Sequence, residues 1–501
     1  MINNASKINN ASKLPAYVPD EQVVMENGYP DWEKHLVMAQ FRIETATPEG
    51  TFQSAVRVLD HFAETGVNGL WINPIWQRQT ENRASFGNNG YGNFGIHLID
   101  TSLTGEETQE GCMQVVRRFV EEAHKRNIRV IFDAIVWGTS KKSPLVTEHP
   151  EFFEQPLREC WGGWAFDWNS RALKDFYTAA AVKFIVETGA DGFRVDLAPD
   201  TSGYYFKEIV DACLSRGRKI MVMAECRSQH KGAFHINEID VGWGPTPVPW
   251  DKPEEMAALQ KEYGHNSEAF FRNNIVDCVR TGYRVGEYQM QQTGHGGDLR
   301  YYTFNLLCHD DHEPTVRGNR LKIAYQALFS PFIPLWWIGE EWNNPVEMLF
   351  GDAGNGIVMY FNRINWDSID EPENRAFFED VKRYIGIRRD HADIFEQFAP
   401  RTRDANIEKV VSRYDGWDNP LQAYARFIPG KAILIVPNRE NEQKTVTVTP
   451  EYERIGLTGS GDVSVTDLYS GEPVEVSGRP WAFSVTVRPQ DVGVYLLTET
   501  K

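Results

Sequence analysis

Three acids stand where short apolar runs end. Asp191-Gly192-Phe193-Arg194-Val195-Asp196 closes one run, Met221-Val222-Met223-Ala224-Glu225 a second, and His309-Asp310 a third. Each run reads as a buried strand, so each acid falls where strand gives way to loop. Taken singly, an Asp in such a place is most often a cap or a solvated loop group. Three carboxylates delivered by separate strand ends can instead meet at one point. Two facing carboxyls, one ionised and one holding a proton, are what is needed to break a glycosidic bond, and a third can steady the charge that develops. Arg194, two positions before Asp196, shares its strand face and is expected to keep it ionised. Glu225 follows four apolar residues, a setting suited to the carboxyl that carries the proton.

Such acids need a scaffold of strands. Strand-like runs occupy 36–41, 69–74, 128–135, 192–195, 219–224, 239–243, 302–307 and 333–338. Helical periodicity fills 54–64, 108–125, 171–188, 206–216, 253–263, 267–281, 320–329 and 371–390. Strands alternating with helices imply a parallel sheet, and eight such repeats favour a closed (β/α)8 barrel, whose reacting residues lie at the C-terminal strand ends. No glycine-rich nucleotide fingerprint follows the first strand, which argues against a dinucleotide-binding sheet. After about 400 the pattern changes to short alternating runs separated by Gly, Pro, Asn and Asp, the pattern of an antiparallel β-sandwich. The expected organisation is a flexible N-terminal tail over 1–20, a barrel over 21–400 with a short inserted subdomain at 138–170, and a β-sandwich over 401–501. The tail contains the tandem repeat Ile-Asn-Asn-Ala-Ser-Lys at 2–7 and 8–13.

The 501 residues include 52 Lys and Arg against 70 Asp and Glu, a formal net charge of −18. Such a surface argues against nucleic acid or an anionic membrane as partner and suits an uncharged ligand. The six Cys show no metal-ligand spacing and are expected to be free thiols. No apolar signal core or spanning segment is apparent, so a cytoplasmic setting is expected. Of 15 Trp, most are expected in the core, but Trp161, Trp164 and Trp168 cluster in a glycine-containing loop where rings can meet sugar faces.

Together these motifs resemble the α-amylase family, glycoside hydrolase family 13, over nearly the whole chain from about residue 36. Gly192–Asp196 looks like the family's nucleophile segment, Ala224-Glu225 its acid segment and His309-Asp310 its stabilising segment. Asn73-Pro74, Gly90-Tyr91 with Ile99-Asp100, Phe166-Asp167-Trp168-Asn169 and Gly339-Glu340-Glu341 match flanking motifs. The resemblance implies Asp196 as nucleophile, Glu225 as acid/base and Asp310 as stabiliser. It implies Arg194, His309, Tyr91 and Asp133 in the reacting sugar's site, where Tyr91 would stack on the ring. Trp161 and Trp164 complete the expected substrate contacts. Asp133-Ala134-Ile135-Val136-Trp137-Gly138 departs from the family's Asp-x-Val-x-Asn-His, with Trp137 and Gly138 in place of the Asn and His. The Asn usually helps to hold calcium, so no metal and no cofactor are expected here. The expected partner is an α-linked oligosaccharide or glucoside, with neither nucleic acid nor membrane. Three activities fit these residues: retaining hydrolysis, transfer of the glycosyl unit to another sugar, and a non-catalytic binding or scaffold role.

Overall fold

Strand and helix alternate as the apolar periodicity dictates, and the strands close into a barrel. A computed structural model describes residues 8–26, 28–79, 90–196, 200–225, 236–240, 301–305, 309, 320–329, 333–345, 347, 359–396, 407–409, 423–438, 441–459, 461–479 and 481–500. The eight strands are β1 (Met38–Phe41), β2 (Gly69–Ile72), β3 (Arg129–Ile135), β4 (Gly192–Asp196), β5 (Met221–Ala224), β6 (Ile236–Asp240), β7 (Tyr301–Asn305) and β8 (Ile333–Trp337). Each is parallel to the next and β8 pairs with β1, so the sheet has no free edge. The barrel is filled by Leu36, Met38, Trp71, Ile131, Met221, Met223, Ile333 and Leu335.

Local signals set the helix ends. Helix α1 (Gln109–His124) starts where the Thr108 side chain accepts a hydrogen bond from the Gly111 amide. Helix α2 (Arg171–Thr188) is capped by Ser170 and ends at Gly189, in the left-handed conformation with φ 77°. The expected helices at 253–263 and 267–281 lie outside the described residues. The insert after β3 is a three-stranded antiparallel sheet of Gly138–Ser140, Glu159–Cys160 and Gly163–Ala165.

Beyond the barrel, a six-stranded and a three-stranded antiparallel sheet face each other through Leu434, Val436, Val446, Val485 and Leu497. In Lys431–Asn438 the alternate residues Ile433 and Ile435 join the barrel's core instead. This strand is therefore buried on both faces, unlike a strand with one wet side. Among the described residues, no helix is long and apolar enough to cross a membrane, and Cys112, Cys160 and Cys213 are free.

The N-terminal tail expected over 1–20 is corrected by the structure. The first copy of the repeat lies outside the described residues, but the second copy, at 8–13, is docked. Asn10 is fully buried, and its carboxamide nitrogen donates to the Thr65 carbonyl at 3.0 Å and the Lys382 carbonyl at 2.8 Å. Gly66 and Gly386 line this slot: a Cβ on Gly386 would stand 2.9 Å from the Asn10 Oδ1. Further along, Tyr17 stacks on His124 at 3.9 Å, and Arg129 lies over the Tyr17 and Trp32 rings. Polarity suggests a tail, but Asn10 donates to two buried carbonyls, Thr65 at a helix end and Lys382 within Pro372–Asp390. Asn10→Ala removes both hydrogen bonds, so thermal unfolding should show a loss of about 1–3 kcal/mol. An unchanged Tm would mean that the docked segment contributes nothing.

Candidate active site

The C-terminal strand ends position the site. Asp196 is the last residue of β4, and Glu225 follows β5 with its amide donating to the Val195 carbonyl at 3.0 Å. Register sets Asp133 of β3 beside Arg194 of β4. Arg194, fully buried, reaches three carboxylates: Asp133 Oδ1 at 2.9 Å, Asp196 Oδ1 at 2.8 Å and Glu225 Oε1 at 2.9 Å. One buried positive charge thus faces three acids, two of them buried and Glu225 partly exposed. Asp310 lies outside the described residues, so the third acid of the sequence pattern has no place in this geometry.

Arg194, expected to keep Asp196 ionised, acts against two other influences. Burial pushes the Asp196 carboxyl well above the usual range, Glu225 adds to this by charge and by a side-chain hydrogen bond, and Arg194 opposes both. Asp196 and Glu225 thus share one guanidinium at close range. Asp133 is also pushed up by burial, to about 6, against the pull of Arg194 and the Trp71 indole.

A second chain of hydrogen bonds crosses the barrel mouth. Gln40 Nε2 lies 2.7 Å from His309 Nδ1, His309 Nε2 lies 2.8 Å from the Tyr91 hydroxyl, and that hydroxyl donates to Asp133 Oδ2 at 3.2 Å. An ionised Asp133 only accepts, so the Tyr91 proton is committed to it. The Tyr91 oxygen then accepts from His309 Nε2–H and from Asn73 Nδ2 at 3.1 Å. This leaves His309 Nδ1 to accept from Gln40 and fixes the tautomer. The Tyr91 and His309 rings stack at 5.2 Å.

Other expectations are altered. Asp133, expected to touch substrate, is fully enclosed, with its oxygens engaged by Arg194, Trp71 and Tyr91. It positions other groups. Trp168 leaves the expected sugar-contacting trio, for it is 7 % exposed and its indole donates to the Val136 carbonyl at 2.8 Å. Trp161 is 53 % exposed at the hairpin tip, and Trp164 is half-buried beneath Lys141. Sequence reading missed Gln40 and Trp71 as site residues. The only signal was their place in buried strands.

At the departure in β3, Trp137 is buried, and its indole carries no oxygen for a calcium ion. The residues present do not fit the usual site. A Cβ at Gly138 would stand 2.0 Å from the Trp164 carbonyl oxygen, and one at Gly163 2.1 Å from that of Thr139. The inserted sheet pairs too closely across these glycines for any histidine at 138.

Two model families match the chain: the alpha-amylase catalytic domain over residues 35–178, and the alpha-galactosidase C-terminal beta-sandwich domain over 418–497. The alpha-amylase MalA of Haloarcula japonica is 23 % identical over 468 residues, covering 87 % of this chain and 61 % of that enzyme. A cyclomaltodextrinase from Bacillus sp. is 22 % identical over 434 residues, covering 79 % of this chain and 67 % of its own. The crystal structure of a maltogenic alpha-amylase, AmyB from Thermotoga neapolitana, superposes with a TM-score of 0.66 at 18 % identity, covering 93 % of this chain and 99 % of that one.

Two outcomes are expected. Burial, with Arg194 nearby, lowers the His309 pKa to about 3, so NMR titration should show its imidazole neutral down to about pH 4. Because this pKa is depressed below the usual 6.5, the associated stability is present above that pH and is lost as pH falls toward 3. A His309 titration near 6 would refute the buried tautomer. Chelators should leave both Tm and activity unchanged, since a metal bound only by the folded state would reveal itself as lost stability. A fall restored by calcium would show a site built from other residues.

Proposed function

We propose that this chain, whose residues 35–178 match the alpha-amylase catalytic domain, is an enzyme of the α-amylase type, a retaining α-glycoside hydrolase acting on α-glucosides or α-glucan oligosaccharides. The observation that carries the retaining reading is the convergence of Asp196 and Glu225 on one guanidinium, at 2.8 Å and 2.9 Å. Inverting enzymes separate their carboxyls by about 6.5–9.5 Å to admit a water, and retaining ones by about 5–5.5 Å. Two carboxyls gripped by the two nitrogens of one guanidinium favour the shorter arrangement.

In this mechanism Glu225 acts as the acid and Asp196 as the nucleophile. Glu225 gives its proton to the glycosidic oxygen while the Asp196 carboxylate attacks the anomeric carbon. The bond to the leaving sugar breaks as the glycosyl ester forms. Glu225, now ionised, takes a proton from water, which attacks the same carbon and releases Asp196. Arg194 spreads its charge over the pair throughout. His309, neutral, holds the Tyr91 hydroxyl through its Nε2–H without adding positive charge beside the developing oxocarbenium ion. Asp310, next to His309 in sequence, is the proposed stabilising acid.

Substrate size follows from β3. With no donor at 138, the reacting sugar lacks one hydrogen bond, a loss of about 0.5–1.5 kcal/mol. The small inserted sheet also offers few contacts to a long chain. Short α-glucosides are therefore proposed as better substrates than starch.

Asp196→Asn should lower kcat by several powers of ten while Tm is kept. Glu225→Gln should lose about 10²–10⁴-fold on natural glucosides and much less on a nitrophenyl glucoside, whose leaving group needs little protonation. Near-wild-type turnover by Asp196→Asn would refute the nucleophile assignment. Product analysis on α-1,4 and α-1,6 glucosides, sucrose, trehalose and soluble starch then ranks the substrates. A clear preference for starch would overturn the size argument, and dominant transfer products would indicate a transglycosylase.

A further inference from the structure

We propose that Trp71 is a positioning residue that sets how the Arg194 charge is divided between Asp133 on one side and the Asp196–Glu225 pair on the other, an inference that rests on the functional reading above. Trp71 is fully buried on β2 inside the barrel, so it cannot touch substrate. It nevertheless meets three side chains of the site. Its indole N–H donates to Asp133 Oδ2 at 2.8 Å. The Arg194 guanidinium carbon lies 4.5 Å from its ring centroid. The His309 ring meets it edge-on at 5.7 Å and 84°.

These contacts have separate consequences. The ring face attracts the cation and fixes the height of the guanidinium in the barrel mouth. The N–H fixes the rotation of the Asp133 carboxylate, so that Oδ1 meets Arg194 while Oδ2 is held by Trp71 and Tyr91. Remove the N–H, and Oδ2 keeps only the 3.2 Å bond from Tyr91. Asp133 then loses a donor that favours its charged form, so its pKa rises from about 6. Once protonated, Asp133 no longer draws on Arg194, whose whole charge falls on Asp196 and Glu225. Asp196, more strongly gripped, becomes a weaker nucleophile.

The test is Trp71→Phe, which keeps the ring and removes the donor. Expected are a fall in kcat of about ten- to a hundredfold, KM changed much less, and an acid limb of the kcat profile displaced to higher pH. Active sites are counted by trapping the glycosyl enzyme with a 2-fluoroglycosyl fluoride. A purely structural role would reduce the trapped fraction and leave the limb in place, which would overturn the proposal. Asp133→Asn and the double variant complete a cycle: losses that fail to multiply are expected, whereas independent losses would show that Trp71 does not act through Asp133. Should Trp71→Phe not fold, an acid limb in Asp133→Asn unchanged from wild type would overturn the proposal equally. Absence of glycosidase activity in the wild-type enzyme would sink the functional reading and this inference with it. An active wild type with an unshifted Trp71→Phe limb sinks this inference alone.

Discussion

The site depends on one buried cation. Arg194 compensates three carboxylates that burial would otherwise force to take up protons. A buried guanidinium without partners is costly, and so are buried carboxylates. Here each makes the other tolerable. Parallel pairing of β3, β4 and β5 puts these groups side by side. The scaffold therefore determines the protonation state by setting distances.

Around this centre the polar groups are arranged by satisfaction of donors and acceptors. Gln40, His309, Tyr91 and Asp133 come from different parts of the chain, yet each supplies what the next requires. Because Asp133 can only accept, a direction is imposed on the whole series, ending with a lone pair on His309 Nδ1. This order keeps His309 uncharged, which matters where positive charge is to develop on a sugar.

The barrel was legible because its strands are apolar runs separated by helices of plain 3.6-residue period. Asp196, Glu225 and Arg194 were legible because they end or share such strands. Trp71 was not, since a Trp in a buried strand is indistinguishable from filler until its N–H is seen to meet Asp133. The enclosure of Asp133 was not legible for a related reason: sequence places a carboxylate near the mouth but does not tell how deeply neighbouring side chains surround it. Trp168 looked like a loop residue, whereas the loop folds back and uses it as core. Gly138 read as a missing histidine. Its cause lies across the sheet, in the Trp164 carbonyl, and no local pattern carries such a contact. Asn10 sits in a polar repeat with every compositional sign of a tail, and only the distant carbonyls reveal its use.

Those carbonyls also bear on how the molecule is made. Asn10 and Lys382 are 372 positions apart in the chain. At about 5–20 residues per second, the ribosome delivers the second partner tens of seconds after the first. Through that interval the docking hexapeptide can engage the Thr65 carbonyl but not the closing helix. The clasp between the first docked residue and the last barrel helix therefore forms as a late event of synthesis, fastening a barrel whose strands have already been made.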